Sequence, residues 1–385
     1  MKRAIVLAGL IGLGACQAPG PISIPGITRP PASAEEALEA YYRTLPDDFF
    51  PRAPKGLPLP AADQPITRVL VASCLNEETA EAPALEEIAK EKADLFLMMG
   101  DNVYGDMDGK QSLSNQADLD ELRESFRDLA ARPDFQAVRA AHPMMVAWDD
   151  HDFGANDGGK DFPFRRLSER IHERFWGLEK QDVGAWPGTY YARTFGPEGK
   201  RTQIIMLDTR FFRTPLTRTD EYGAKGKERY VPSADAHQDM LGTDQWTWLE
   251  NQLQQPADLR LIVSSVQDGQ GYESWSRLPL EQSRLYSLIG ETGANGVVFI
   301  SGDRHAAFLY RKEGVLDYPA YELTASSLNA SFSDTTDEMD SAQTGAGYSP
   351  ENFGAIDIDW ETGTAALSIK ADDGATVEET TVKFK

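Results

Sequence analysis

The chain has 385 residues, 61 Asp and Glu against 38 Lys and Arg, and a formal net charge of −23. That acid excess excludes a protein built on nucleic-acid backbone contacts, which need clustered Lys and Arg. Two Cys exclude a disulfide-rich scaffold and a four-cysteine zinc site, and five His confine any metal centre to one made mostly of carboxylates.

In chain order, Met1-Lys2-Arg3 is basic and Ala4 to Leu13 is apolar. Ten apolar residues are too few for a transmembrane helix, which needs about 20, so the run reads as the h-region of an export signal. It ends in Leu13-Gly14-Ala15-Cys16, which resembles a bacterial lipoprotein lipobox. The resemblance implies acylation of Cys16. Gln17, in place of Asp, favours an outer-membrane anchor facing the periplasm. Residues 1–15 are expected to be the signal peptide and 16–65 a Pro-rich tether and lead-in. Within the lead-in, Ala34 to Arg43 can form a short helix capped by Ser33.

From residue 66 to 385 strand-like and helix-like segments alternate, predicting one α/β domain. Arg68 to Ala72, Asp94 to Met99 and Pro143 to Trp148 read as buried strands. Thr79 to Lys92, Ala117 to Ala131 and Phe162 to Gly177 have helical spacing. Thr189 to Phe195 and Arg201 to Leu207 read as paired strands. Thr243 to Gln254, with Thr243 as cap, and Leu278 to Ile289 read as helices. Leu261 to Val266 and Val297 to Ser301 are further buried strands. The tail carries four segments with strand character: 320–325, 354–359, 364–369 and 376–384. Intervals 211–242 and 326–350 read as long surface loops that could roof a site.

Ligands of such folds gather where the strands end. Those ends carry Ser73-Cys74, then Gly100-Asp101 with Tyr104 and Asp106. They also carry Asp149-Asp150-His151-Asp152 followed by Asn156-Asp157, Asp208-Thr209-Arg210, Gln267-Asp268, and Gly302-Asp303-Arg304-His305. So many acids in one place repel one another unless cations are present, and two metal ions about 3.5–4 Å apart would use this many ligands. His142 reads as structural, and His172 and His237 as surface residues.

The succession Ser-Cys, Gly-Asp-x-x-Tyr, Trp-Asp-Asp-His-Asp, Leu-Asp-Thr-Arg and Ser-Gly-Asp-x-His resembles the alkaline phosphatase D-like (PhoD-like) branch of the calcineurin-type metallophosphoesterases, over residues 66–370. The resemblance implies a four-layer αββα sandwich with mixed sheets. It implies a dinuclear or trinuclear centre of Fe(III) with Ca(II) rather than zinc or manganese. Cys74 and Tyr104 would hold the iron, Asp101 would bridge, Asp150 would bind the second ion, and Asp303 and His305 would complete the sites. His151 would contact the phosphate and protonate the leaving oxygen. Arg210 would either face the phosphate or pair with an acid. Asn156 and Asp157 are further oxygen donors, and Gln267 stands where the wider superfamily often has a ligand His. The expected activity is an exported phosphoric mono- or diester hydrolase using a metal-activated hydroxide, without a phosphoenzyme at Ser73. It would work on phosphate esters as a monomer, tethered to the membrane by lipid. Two other readings fit less of the pattern: a phospholipase-type phosphodiesterase on the same scaffold, and a non-catalytic calcium-stabilised surface lipoprotein. Calcium prefers oxygen, which leaves Cys74, Tyr104 and His151 without a role in the second.

Overall fold

A computed structural model describes residues 33–224, 228–269, 271–332 and 340–385. The lipobox with Cys16 lies outside these residues. The chain divides into two compact units at Pro46. In the first, α1 (Ala34–Tyr42) starts at Ser33, whose hydroxyl accepts the Glu36 N–H at 3.1 Å. Glu35 and Glu36 lie in its first turn, where negative charge is favoured.

In the second unit, β1 (Arg68–Ala72), β2 (Leu95–Met99) and β5 (Met144–Ala147) are parallel and almost wholly buried. Continuous apolar strands of this kind suit a sheet covered on both faces. β13 (Asn352–Asp359) runs antiparallel to β1 and continues into the meander β14 (Thr364–Ala371) and β15 (Thr376–Lys383). The order is β15-β14-β13-β1-β2-β5. The second sheet is built on parallel β7 (Thr202–Met206), β8 (Leu259–Val263), β9 (Val297–Ser301) and β11 (Ala320–Thr324). Antiparallel β6 (Tyr191–Phe195) closes one edge, and β10 (Ala307–Lys312) and β12 (Gln343–Tyr348) the other. β3 (Met107–Asp108) and β4 (Gln111–Ser112) form a small separate hairpin.

The sheets meet face to face, with β10 and β11 against β14. Gly354 of β13 sits at the closest approach: a Cβ there would lie 2.5 Å from the Val71 side chain and 2.9 Å from Leu323. Outside the second sheet lie α7 (Gly242–Leu253) and α8 (Pro279–Thr292), burying Trp246, Leu249, Leu285 and Ile289 against Ile205, Ile262 and Phe299. The remaining helices, α2 (Pro83–Ile88), α3 (Asp120–Ala131), α4 (Pro133–Ala141), the single turn α5 (Asp150–Phe153) and α6 (Arg165–Trp176), belong to the half built on the first sheet. This is the αββα architecture with mixed sheets that the resemblance implies.

Four local expectations change, one being that the interval 326–350, expected as a loop, contains β12 paired with β10. The helix expected over 79–92 is only Pro83–Ile88, because proline at the first helical position sets where it can start. The Gly242 N–H bonds to the Asp239 carboxylate at 2.8 Å, and Thr243 is inside α7 and not its cap. His172 is not a surface residue but fully buried, among Phe126, Trp148 and Trp176, with neither ring nitrogen hydrogen-bonded among the described residues. Its helix is amphipathic and His172 falls on the buried face with Ile171 and Phe175.

Burial lowers the His172 pKa from 6.5 to about 3. The unfolded chain therefore binds a proton that the native state refuses. The stability contributed by keeping this ring neutral is complete above pH 6.5 and falls as pH drops toward 3. We expect His172→Phe to flatten the acid side of the stability profile, as read by denaturant midpoints between pH 7 and 4.

Candidate metal centre

β1, β2 and β5 end together in one sheet, and β7, β8 and β9 in the other. The turns that follow are tightly constrained. Cys74, Asp101, Asp303 and His305 all have left-handed backbones, with φ of 58°, 48°, 64° and 57°. Such conformations cost about 1–3 kcal/mol each for non-glycine residues and persist only where the surroundings impose them. Gly100, at φ 109°, allows the loop after β2 to press on its neighbour: a Cβ there would sit 2.5 Å from Asp149 Cβ.

The donors converge. Ligand atoms of Cys74, Asp101 and His305 all lie within 4.8 Å of one another, as do those of Asp101, Asp150 and His151. Two further sets, Asp149 with Asp150 and Asp303, and Asp150 with Asp157 and Glu273, meet the same limit. Cys74 Sγ is 3.4 Å from Asp101 Oδ2 and accepts the Ser326 hydroxyl at 2.9 Å. Tyr104 Oη is 3.4 Å from His305 Nε2. His305 turns its other nitrogen, Nδ1, to the Ala330 carbonyl. That contact assigns the proton to Nδ1 and frees the Nε2 lone pair for a ligand. Burial holds His305 near pKa 4, so the ring is neutral.

Burial and neighbouring acids push Cys74, Asp101 and Tyr104 well above their ordinary pKa values, and burial with Glu273 does the same to Asp303. Without a cation their protonated forms are favoured. A thiol, a phenol, carboxyls and a neutral imidazole at one spot, paired with one another and not with Lys or Arg, fit metal ions. A further sign is Asp149 Oδ2, buried without a hydrogen-bond partner among the described residues.

His151 differs. Its Nδ1 donates to Asp106 at 2.6 Å, and the other Asp106 oxygen accepts the Asn156 N–H at 2.7 Å. Burial lowers the pKa of His151, but Asp150, Asp101 and Asp106 outweigh it and raise the net value. Asp106 thus fixes the ring and favours the imidazolium. His151 is the second residue of the turn α5, in which Asp152 accepts the Asp149 N–H at 2.5 Å in the manner of a capping box. Tyr104 lies against the His151 ring with centroids 4.2 Å apart. For Asp150, burial is outweighed by Arg210 and His151, so its pKa is lowered and it stays ionised.

Arg210 is enclosed, with 0% exposure. Its Nε meets Asp149, and its two terminal nitrogens grip Glu273 at 2.7 and 2.6 Å. Of the two roles expected from sequence, the structure places it in the acid pair. Arg213 joins Glu273 at 2.7 Å and caps the Asp157 carbonyl at 2.6 Å. Removing one partner of a buried pair leaves the other uncompensated, at about 3–5 kcal/mol. Arg210→Met should therefore lower the melting temperature sharply, and a thermal unfolding curve unchanged from wild type would refute the pairing role.

Asn156 is exposed and contributes its backbone N–H to Asp106, not a side-chain donor. Asp157 sits beside Asp150, with its carboxylate also taken by Arg229 and by Tyr230 at 2.6 Å. Gln267 is buried and its side-chain Nε2 has no partner among the described residues. Sequence reasoning gave no role to Asp106, Asp149, Arg213 or Glu273. The first two lie inside motifs already singled out. Glu273 lies in an irregular stretch after Gly271, where nothing local marks it.

The chain is similar to known proteins over most of its length. A family model for PhoD-like phosphatases matches residues 69–170 and 188–369. Alkaline phosphatase D of Bacillus subtilis (strain 168) is 26% identical over 286 residues, 66% of this chain and 48% of the relative. The chain thus spans about half the length of that curated relative. A solved structure of PhoD aligns with a TM-score of 0.67 at 18% identity, covering 86% of this chain and 72% of the other.

Proposed function

The chain belongs to the PhoD-like phosphatase family, and from that premise we propose that it is a metal-dependent phosphoric ester hydrolase acting on mono- and diesters. The observation that carries the reading is the meeting of Cys74, Asp101 and His305 in one cluster that shares Asp101 with Asp150 and His151. Cys74, Asp101, Tyr104 and His305 would hold one cation, suited to Fe(III) by its anionic sulfur and phenol donors. Asp101, Asp150 and Asp303, all oxygen donors, would hold a second that suits Ca(II). When bound, such ions neutralise the phosphate and bring the pKa of water toward neutrality.

The chain's own residues do the rest. Asp106 holds His151 by Nδ1, which leaves Nε2–H to protonate the departing alkoxide. Arg210, Arg213 and Glu273 brace Asp149 and the segment after α5, so that Asp150 and His151 keep their positions. Ser73 is buried and its hydroxyl is directed at the Ala325 carbonyl, 3.2 Å away, which supports direct hydrolysis without a phosphoseryl intermediate.

Export and a lipid anchor at Cys16, on the periplasmic side of an outer membrane, complete the proposal. Palmitate labelling that is equal for wild type and Cys16→Ser would end that part of it. The activity is tested on bis-p-nitrophenyl phosphate and p-nitrophenyl phosphate with metals present. Turnover of at least one supports the reading, and turnover of neither sinks it.

A further inference from the structure

Phe332 is a large apolar residue left 44% exposed. Single exposed apolar residues are common and need no explanation. This one is unusual in how firmly it is held and in what it touches. Its ring stacks on His305 with centroids 4.1 Å apart and planes at 12°. Its N–H bonds to the His305 carbonyl at 3.0 Å. The preceding turn is pinned on both sides. Asn329 exchanges hydrogen bonds with Asn76 at 2.7 and 2.9 Å, the Leu328 N–H meets the Ser73 carbonyl at 3.0 Å, and Ser331 Oγ donates to Glu351 at 2.9 Å. An aromatic face is thereby kept in water at a fixed place, one ring away from the metal-centre candidate.

The rings continue inward. His305 Nε2 is 3.4 Å from the Tyr104 hydroxyl, and the Tyr104 ring lies 4.2 Å from that of His151. Phe332 is thus the outer end of an aromatic run whose inner end is the proposed proton donor to the leaving group. As the exposed end of that run, the Phe332 ring borders the site on the His305 side.

We propose that Phe332 is a specificity-determining residue, its exposed face taking up the alcohol portion of the substrate, so that the site prefers phosphate esters with an aromatic or flat apolar leaving group over those of small polyols. The inference rests on the hydrolase reading above. Ring-on-ring contact of this kind supports a preference of roughly three- to tenfold.

The test uses the metal-loaded full chain with 2-naphthyl phosphate and glycerol 2-phosphate, and with their methyl diesters. Wild type, Phe332→Ala and Phe332→Trp are compared within each substrate, so intrinsic leaving-group reactivity cancels. Phe332→Ala should raise KM for the naphthyl esters roughly three- to tenfold, leave the glycerol esters within about twofold and keep the bound metal; Phe332→Trp should restore naphthyl KM. Equal losses on both classes, or loss of metal along with activity, would show the ring to be a mere prop for His305 and overturn the inference alone. A wild type that hydrolyses none of the four esters overturns the hydrolase reading and this inference with it.

Discussion

His151→Ala should slow hydrolysis of alkyl phosphate esters by about 10²–10⁴-fold, the usual contribution of a positioned general acid. The same variant should lose far less on p-nitrophenyl esters, whose leaving group departs without needing a proton. Asp106 sets this role. It holds Nδ1 at 2.6 Å and, together with Asp150 and Asp101, keeps the imidazolium favoured despite burial. Asp106→Asn should then act in the same direction but more weakly, and should narrow the alkaline limb of the alkyl-ester pH profile. Matched steady-state assays on an alkyl and an aryl ester decide the matter. Equal losses on both would assign His151 to phosphate binding and not to proton transfer.

The second large effect is expected at Asp101. It is the one residue shared by the cluster with Cys74 and His305 and by the cluster with Asp150 and His151. Removing a single electrostatic donor typically costs about 10²–10³ in turnover. Asp101→Asn removes a donor from both proposed ion positions, so the loss should be at least about 10³-fold, with bound metal falling in parallel. The fold should survive. Asp101 is buried, and burial with Asp150 raises its pKa, so an uncharged amide of the same shape fits the metal-free site at little cost. Circular dichroism melting of the metal-free proteins checks this. Because Cys74, Asp101 and Tyr104 must shed protons to bind a cation, metal affinity should rise with pH.

Much of this centre can be read in the sequence because of how it is built. Cys74, Asp101, Asp150, Asp303 and His305 each follow a buried strand, and parallel strands carry their carboxyl ends to one edge of their sheet, so topology gathers these five. What resists reading is what depends on packing between distant segments. Glu273 is six residues past Gln267 in an irregular stretch, and only the folded chain brings it onto Arg210 and Arg213. β12 is Gly-rich, with no apolar alternation, and forms through its pairing with β10. β10 starts two residues after His305 with no turn signal between them. His172 looked polar and therefore exposed, although the spacing of Leu167, Ile171 and Phe175 on its helix already placed it near the buried face.

The most direct test is elemental analysis of the purified chain coupled to its turnover of bis-p-nitrophenyl phosphate, before and after chelation and for Cys74→Ser and Asp101→Asn. The expected result is at least one tightly held metal per chain, iron with a visible phenolate band from Tyr104, and turnover that falls and returns with the metal. A chelated, metal-free chain that hydrolyses the ester as fast as the native one would contradict it.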